Sequence, residues 1–269
     1  LKGARGFAFT GSIRSSLLRR TRKRMEEVGN GSFAEYHEHL ETHPDEFTQL
    51  FNTILINVTS FFRDPEAWDA LARELGRRVV ERKQAGEPIR IWSAGCASGE
   101  ETYTLVMLLA EMLGMERFRE QAKVYATDVG QGALAHARYG CYAVADLEGV
   151  APEVRDRYFD RTGERWTLRA DLRRYVIFGR HDLVQDAPIS HLDLLVCRNV
   201  LMYFNAEVQG RIMSRFHYAM ENDGLLFLGK AEMMRSHGSL FTPVGLKSRI
   251  FSRGSRIGAR GRLHAIGAQ

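Results

Sequence analysis

Cysteine and long apolar runs are both scarce in this chain of 269 residues, and each scarcity excludes a class of protein. The three cysteines, Cys96, Cys141 and Cys197, show no paired spacing, so we expect no disulfide framework, metal site or catalytic thiol. No apolar run reaches the roughly 20 residues that a membrane-spanning helix needs. With 44% hydrophobic and 26% charged residues, the composition predicts a soluble, cytoplasmic globular protein with reduced thiols.

Several nucleotide and nucleic-acid motifs are also missing. The chain has no Gly-Lys-Ser/Thr of a P-loop and no strict Gly-x-Gly-x-x-Gly of a dinucleotide site. It contains no zinc knuckle and none of the aromatic and basic signatures of an RNA-binding module. These absences disfavour ATP, NAD and a specific nucleic acid as ligands.

What the chain does contain is a small-residue turn between an apolar strand and a helix start. The strand Ile89–Trp92 runs into the turn Ser93–Gly99, and Glu100 and Glu101 follow. Such a turn lets a ligand approach the backbone and the amides of the helix N-terminus. Because carboxylates repel a polyphosphate and attract a sulfonium or ammonium cation, S-adenosylmethionine fits better than ATP or NAD. The alternative is an ordinary turn with a solvated helix start, where the two carboxylates only favour the helix dipole.

Polar residues also follow three later strands. Asp128 ends a strand about 30 residues after the turn, where an acidic residue binds ribose hydroxyls in a doubly wound sheet. Asp182 follows the next strand and is a candidate acceptor for an adenine amino group. Arg198 and Asn199 follow the apolar run Leu192–Cys197, where cofactor and substrate meet in such sheets. A helix cap or a surface ion pair is the alternative for each of these residues.

Four groups of residues together carry a family resemblance: Asn57, Thr59 and Phe61–Arg63; Trp92–Ala94 and Ser98–Glu101; Ala126–Asp128; and Cys197–Asn199 with Tyr203 and Phe204. In this order they are similar to the CheR-type chemotaxis receptor (MCP) glutamate O-methyltransferases. Enzymes of that family transfer a methyl group from S-adenosylmethionine to glutamate side chains on the cytoplasmic helices of receptors. The resemblance covers nearly the whole chain, from the first basic helix to the region of Phe251.

The resemblance implies the residues of the site. The cofactor pocket would be lined by Asn57, Thr59, Arg63, Glu101, Asp128, Asp182, Leu183, Arg198 and Asn199. Arg63 and Tyr203 match positions beside the transferred methyl group, and we expect them to orient the substrate carboxylate as catalytic residues. The alternatives are an ion pair of Arg63 with Asp64 or Glu66, and core packing of Tyr203.

The sequence pattern predicts the domain organisation, and the resemblance adds the inserted β-subdomain. Residues 1–75 form an all-helical N-terminal domain, whose last helix opens with Asp64 as cap and Pro65 in the first turn. Residues 76–88 form a linker. Residues 89–253 form an α/β, Rossmann-like class I methyltransferase domain, a doubly wound sheet with a small β-subdomain inserted at about 141–180. Residues 254–269 form a flexible basic tail.

Positive charge is concentrated on the first helix, at residues 12–28, which pairs an apolar face with a basic face. Its cations are Arg14, Arg19, Arg20, Arg22, Lys23 and Arg24. In the family this helix faces the acidic methylation region of the receptor, and such charge accelerates encounter with an acidic partner. A merely solvated surface is the alternative. Nucleic acid would also be attracted, which keeps an RNA or DNA methyltransferase as a weaker alternative.

The predicted function is therefore methylation of receptor glutamates, with glutamate methyl esters and S-adenosylhomocysteine as products. The alternative from another class is a catalytically weak signalling or scaffold module that binds S-adenosylmethionine. The turn at Thr162–Glu164 is short compared with family members that grip a tethering receptor peptide, which predicts independence from a receptor C-terminal pentapeptide. We further expect a monomer without membrane insertion.

Overall fold

In the part of the chain that the structure describes, four α-helices precede the first strand. The computed structural model describes residues 14–54, 59–84, 86–232 and 240–254. The helices are α1 Arg14–Glu27, α2 Phe33–Thr42, α3 Pro44–Ile54 and α4 Pro65–Leu75, and one π-helical turn, Gly76–Val80, continues α4. A capping box explains where α2 begins, because the Ser32 side chain accepts from the Glu35 amide while the Glu35 side chain accepts from the Ser32 amide.

The first three helices share a small core of their own, formed by Met25, Tyr36, Leu50 and Ile54. One buried acid ties the helices together. The Glu46 carboxylate accepts from Arg24 Nε and Arg24 Nη2, both at 2.7 Å, and from the Tyr36 hydroxyl at 2.8 Å. The hydrogen bonds from Arg24 hold the pKa of Glu46 below its ordinary value, although burial opposes them.

Helix α4 packs elsewhere, against the central sheet. Trp68, Leu71 and Leu75 belong to the core of that sheet, and the Trp68 ring meets Phe227 edge-on with the ring centroids 5.2 Å apart. The sequence pattern groups this helix with the preceding ones, up to residue 75. From its packing we propose that the methyltransferase domain begins near residue 59.

Seven strands of the described segments form the central sheet, in the order β6-β2-β1-β7-β8-β10-β9. They are β1 Ile89–Ala94, β2 Ala122–Asp128, β6 Val176–Arg180, β7 Leu192–Cys197, β8 Met220–Leu228, β9 Phe241–Gly245 and β10 Ile250–Arg253. The first five in the sheet order run parallel, while β10 pairs antiparallel with β8 and with β9. Every residue of β7 is buried, as a strand covered on both faces requires.

Helices flank and connect these strands. They are α5 Glu100–Leu113, α6 Met115–Gln121, α7 Gln131–Tyr139, α8 Pro152–Tyr158, α9 Ala170–Arg173 and α10 Ala206–Ala219. The predicted α/β fold with a preceding all-helical segment is confirmed. Among the described residues, no helix combines the length and the apolarity needed to cross a bilayer.

A second, three-stranded antiparallel sheet lies between β2 and β6 in the sequence. Its strands, in the order β3-β5-β4, are β3 Cys141–Ala143, β4 Phe159–Thr162 and β5 Arg165–Leu168. This is the small sheet that the resemblance implied within about 141–180. Strand β6 falls in the same range but pairs parallel with β2, so it belongs to the central sheet.

The connectivity places a crevice at one edge of the central sheet. From β1 the chain proceeds through β2 to β6 on one side, whereas β7 and β8 lie on the other side. The strand order therefore reverses between β1 and β7. Ligands of open α/β sheets bind at such a switch point, outside the carboxyl ends of the strands.

Candidate functional site

The turn after β1 is held close to the neighbouring strand ends. The amides of Gly95 and Cys96 both donate to the Thr127 carbonyl, at 2.7 and 2.9 Å. Gly95 has a φ of 78°, and a Cβ added to it would lie 2.4 Å from Cγ2 of Val200, beyond β7. Only glycine therefore permits this conformation together with this approach of the two loops.

Asp128 ties the end of β2 to the same turn. Its Oδ2 accepts from the Ala97 amide at 2.9 Å, and its Oδ1 accepts from the Gly130 amide at 2.8 Å. Burial raises the pKa of this carboxyl, while the backbone amides that it binds favour the ionised form. Each carboxylate oxygen has a second lone pair, so capacity remains to accept from ribose hydroxyls. The ribose contact stays a prediction.

Glu100 and Glu101 begin α5 and are both buried, which excludes the alternative of a solvated helix start. Ser98 Oγ donates to both oxygens of Glu100, at 3.0 and 2.7 Å. Burial raises the pKa of Glu101 to about 7, and the attraction of Arg198, whose Nη1 lies 3.7 Å from Glu101 Oε2, opposes that rise. Among the described residues, the Glu101 carboxylate accepts no hydrogen bond, so this buried carboxyl keeps capacity for a cationic ligand.

Arg198 follows β7 and joins it to the segment before α4. Its Nη1 donates to the Arg63 carbonyl at 3.0 Å, and its Nη2 donates to Asp64 Oδ2 at 2.7 Å. The guanidinium carbon lies 4.7 Å from the Phe227 ring centroid and 5.6 Å from that of Trp68. The Nε of Arg198 is buried without a hydrogen-bond partner among the described residues, so one donor of this site remains to be satisfied.

The segment around Arg63 has an unusual backbone. Phe62 and Asp64, on either side of Arg63, both have left-handed φ values, 48° and 63°. The Arg63 carbonyl accepts from Trp68 Nε1 at 3.0 Å, in addition to Arg198, and the Phe62 amide donates to Thr104 Oγ1 at 3.1 Å. These contacts fix the backbone from which the exposed Arg63 side chain extends.

Asp64 is not the side-chain cap that the sequence predicted. Its carboxylate makes no capping hydrogen bond to α4. It binds Lys230 Nζ at 2.6 Å and Arg198 instead, and the hydrogen bond from Lys230 is the main cause of its lowered pKa. The capping prediction failed because two cations from distant strand ends approach this carboxylate.

Asp182 shapes the turn after β6. Its Oδ1 accepts from the Val184 amide at 2.8 Å, and its Oδ2 accepts from Gln185 Nε2 at 3.0 Å. Both Asp182 and the following Leu183 are buried. The first oxygen therefore organises the turn, and the adenine contact proposed for this residue remains a prediction.

Asn199 and Tyr203 lie in the loop after β7. Asn199 has a φ of 61°, and Leu201–Tyr203 form one 3₁₀ turn. The Arg20 guanidinium carbon of α1 lies 5.2 Å from the Tyr203 ring centroid, and Arg20 Nη1 also donates to the Ile54 carbonyl. The basic helix therefore contacts the loop that carries Tyr203. Packing in the protein core, the alternative role for Tyr203, does not account for this contact.

The structure therefore brings most of the predicted residues to one edge of the sheet. Arg63, Glu101 and Arg198 are linked directly through Arg198, and Asp128 and Asn199 belong to the neighbouring turns. Thr59 is half-buried in the segment that leads to Arg63. Asn57 lies outside the described residues.

Sequence reasoning missed two residues of this edge. Lys230 binds Asp64, and the buried Glu232 accepts from backbone amides of the loop after β7. Both follow the apolar run Leu225–Leu228, which ends β8. The rule that selected Asp128 and Arg198, polar residues just after a buried strand, would have selected them too.

These features fit S-adenosylmethionine. The turn at Gly95 and Gly99, which has a φ of 99°, has the backbone form that close approach of a ligand requires. Glu101 provides a buried carboxyl for a cation, Asp128 keeps acceptor capacity for hydroxyls, and Arg198 Nε is an unsatisfied donor. Together they satisfy a cationic ligand with hydroxyls better than a polyphosphate.

Comparison with known proteins agrees with this chemistry. The family model described as "CheR methyltransferase, SAM binding domain" matches residues 57–250, and "CheR methyltransferase, all-alpha domain" matches residues 1–55. Chemotaxis protein methyltransferase 2 of Pseudomonas aeruginosa is 34% identical over 246 residues, which are 89% of this chain and 86% of that protein.

Two further relatives differ from each other in the share of their own length that this chain covers. The chemotaxis protein methyltransferase of Listeria monocytogenes is 33% identical over 203 residues, covering 76% of this chain and 75% of that protein. An uncharacterized 104.1 kDa protein of Rhodobacter capsulatus is 35% identical over 236 residues, which are 88% of this chain but only 25% of that protein. With family matches over both parts of the chain and a buried site suited to its cofactor, this protein belongs to the CheR family of S-adenosylmethionine-dependent methyltransferases.

Proposed function

We propose that this enzyme methylates glutamate side chains on the cytoplasmic helices of chemotaxis receptors, with S-adenosylmethionine as donor, and that it acts in the cytoplasm. The observation that carries the proposal is the contact of Arg20 with Tyr203, 5.2 Å from guanidinium carbon to ring centroid. It brings the basic helix α1 to the loop beside the cofactor site. A substrate held by that helix would therefore present its side chain at the same edge of the sheet.

The charge on α1 suits an acidic helical partner. Arg19, Arg22 and Lys23 are exposed, whereas Arg24 is engaged by Glu46 and Glu27. Receptor methylation regions offer several glutamates, and long-range attraction between such surfaces raises the rate of encounter. The names of the relatives from Listeria and Pseudomonas, chemotaxis protein methyltransferases, support the same class of substrate.

We assign the cofactor to Arg63, Glu101, Asp128, Asp182, Leu183, Arg198 and Asn199, together with Thr59 and with Asn57 outside the described residues. When bound, S-adenosylmethionine supplies an electrophilic methyl group on a sulfonium. Glu101 would then face a cationic ligand, and Asp128 would accept from hydroxyls.

The acceptor needs orientation more than it needs a base. A glutamate side chain has a pKa of about 4.3, so it is already ionised at neutral pH and no proton must be removed. Correct placement of two reacting groups contributes up to roughly 7–11 kcal/mol in favourable cases. We assign Arg63 to hold the substrate carboxylate, because its backbone is fixed on both sides while its side chain is exposed. Tyr203 is the second positioning group.

A mutation series tests the proposal. We expect Arg63→Ala to lower kcat for methyl transfer to a receptor signalling fragment by about 10²-fold or more, as loss of a charge-stabilising group does. The affinity for S-adenosylhomocysteine should change only a few-fold. Arg73→Ala, at an exposed arginine in the last turn of α4, is the matched control and should retain full activity.

Two outcomes would count against the proposal. Full activity of Arg63→Ala would remove the assigned role of that residue. Tight binding of S-adenosylhomocysteine by the unmodified protein, with no turnover on any receptor fragment, would instead favour a scaffold that binds the cofactor.

Two finer features, the oligomeric state and the tether, also belong to the proposal. The β4–β5 hairpin closes with a turn of Gly163 and Glu164 only, since Thr162 pairs with Arg165. We propose that the enzyme acts as a monomer and does not require a receptor C-terminal pentapeptide. Calorimetric titration with such a peptide should show no binding at micromolar concentrations, and micromolar affinity would overturn this point.

A further inference from the structure

The buried carboxylate of Glu232 holds the loop that carries Asn199 and Tyr203. Its Oε1 accepts from the amides of Val200 at 2.7 Å and Leu201 at 3.2 Å, and its Oε2 accepts from the Gly229 amide at 2.6 Å. Glu232 lies four residues beyond the end of β8 and is only 4% exposed. The loop after β7 and the turn after β8 are therefore joined by this one side chain.

The loop has the backbone form of an anion-binding nest. Asn199 is left-handed, with a φ of 61°, and Val200 is right-handed helical, with φ −111° and ψ −46°. Successive residues of opposite hand direct neighbouring amides toward a common concavity that binds an anion. In this protein the carboxyl group of Glu232 occupies that concavity.

Gly229 makes this arrangement sterically feasible. A Cβ at position 229 would lie 2.6 Å from Glu232 Oε2 and 2.8 Å from the Asn199 nitrogen. The carboxylate, the glycine and the loop are thus in mutual contact. Any side chain at position 229 would push the carboxylate and the loop apart.

We propose that Glu232 is a positioning residue, whose carboxylate fills the nest at Asn199–Leu201 and so sets the positions of Asn199 and Tyr203. Amide donors meet both of its oxygens, so the side chain must offer acceptors on both sides. A glutamine of the same shape would turn an NH₂ group toward an amide donor. The part of this inference that concerns Tyr203 rests on the proposed function, whereas the part that concerns Asn199 requires only cofactor binding.

Substitution in the full chain tests this. We expect Glu232→Gln to weaken S-adenosylhomocysteine affinity about 10-fold or more and to lower kcat by at least as much. Asp193→Asn is the matched control, because Asp193 is equally buried and accepts from the Arg90 amide at 2.9 Å, but at the opposite end of β7. That variant should alter the melting temperature without altering cofactor affinity.

Chemical rescue separates positioning from a general loss of fold. We expect Glu232→Ala to regain S-adenosylhomocysteine affinity and melting temperature in formate, which can enter the nest, and not in chloride at the same ionic strength. If the variant is unfolded without formate, the formate-dependent melting transition remains the readout. Wild-type affinity in Glu232→Gln, or no response of Glu232→Ala to formate, would overturn the inference. Because these readouts need no receptor, they stand even if receptor methylation is not found.

Discussion

Arg198 is the residue through which the parts of the site are connected. Its guanidinium binds the Arg63 carbonyl and the Asp64 carboxylate, lies 3.7 Å from Glu101, and is flanked by two aromatic rings. A lysine could not make these contacts, because the planar guanidinium donates to two acceptors at once and also lies against the ring faces, whereas an ammonium is a compact charge. The other cations nearby, Lys230 and Arg63, compensate the same acidic groups.

Glu101 gives a prediction of pH dependence. Its carboxyl has a pKa of about 7 in the folded protein without ligand, because of burial, against an ordinary value of 4.5. Between these pH values the folded state binds more protons than the unfolded state, so this group lowers the free energy of unfolding as pH rises from 4.5 to 7. Glu101→Gln should remove that loss, making the ligand-free protein more stable at pH 8 by up to ~3 kcal/mol.

The same substitution should weaken S-adenosylhomocysteine binding. Denaturant unfolding of both proteins at pH 5 and pH 8 measures the stability difference, and calorimetry measures the affinity. Suppose instead that Glu101→Gln destabilised the protein at pH 8 and left the affinity for S-adenosylhomocysteine unchanged. The Glu101 carboxyl would then not be a buried charge that binds a cation.

Gly95 gives a prediction about backbone geometry. Gly95→Ala places a methyl group 2.4 Å from Val200 at a left-handed residue, so both the turn after β1 and the loop after β7 must shift. We expect a loss of about 2 kcal/mol in the free energy of unfolding and a weaker S-adenosylhomocysteine affinity. Gly132→Ala is the control, because a Cβ there meets nothing within 4 Å. Equal behaviour of the two variants would show that the close approach is unimportant.

At the scale of elements, the first helix and the strand ends cooperate. Helix α1 packs through Met25 on its own small core, binds Glu46 through Arg24, and contacts Tyr203 through Arg20. Among the described residues, its exposed cations Arg19, Arg22 and Lys23 form no hydrogen bond or ion pair with the central sheet. They are therefore available to an acidic partner, close to the site yet not part of the cofactor pocket.

Charge reversal on this helix is expected to act on the substrate alone. The triple variant Arg19→Glu, Arg22→Glu and Lys23→Glu should raise KM for a receptor fragment about 10-fold at low salt, with the difference shrinking as salt screens the charges. Its affinity for S-adenosylhomocysteine should remain within twofold of the original. The control reverses three exposed cations outside helix α1, for which no ion pair is found among the described residues: Arg73, Lys123 and Lys247. An equal effect of both triple variants on KM would mean that net charge, not helix α1, governs recognition.

Elements also show what the sequence could predict. The positions of Asp128 and Arg198 were predictable because a buried strand has a local signature, and the residue that ends it must lie at the sheet edge. The partners of Asp64 and Glu232 were not, because a carboxylate's contacts depend on which distant segments approach it. Asp64 followed the local rule for a helix cap and was used otherwise, by Lys230 and Arg198.

At the scale of the whole molecule, the site is assembled from segments far apart in sequence. The turn after β1, the ends of β2, β7 and β8, and the segment 59–64 all meet at one edge of the central sheet. The family matches divide at residues 55 and 57, close to the change of core that we observe between α3 and α4. Among the described residues, the helical part contacts the sheet edge through Arg20 and Tyr203 and has a core separate from that of the sheet.

The most direct test of this account is transfer of a labelled methyl group from S-adenosylmethionine to a chemotaxis receptor signalling fragment. We predict that label enters the receptor fragment, is released as volatile methanol in mild alkali as a carboxyl methyl ester must be, and is absent when the receptor's glutamates are replaced by alanine. Label that is stable to alkali, or no label from a protein that binds S-adenosylhomocysteine, would contradict it.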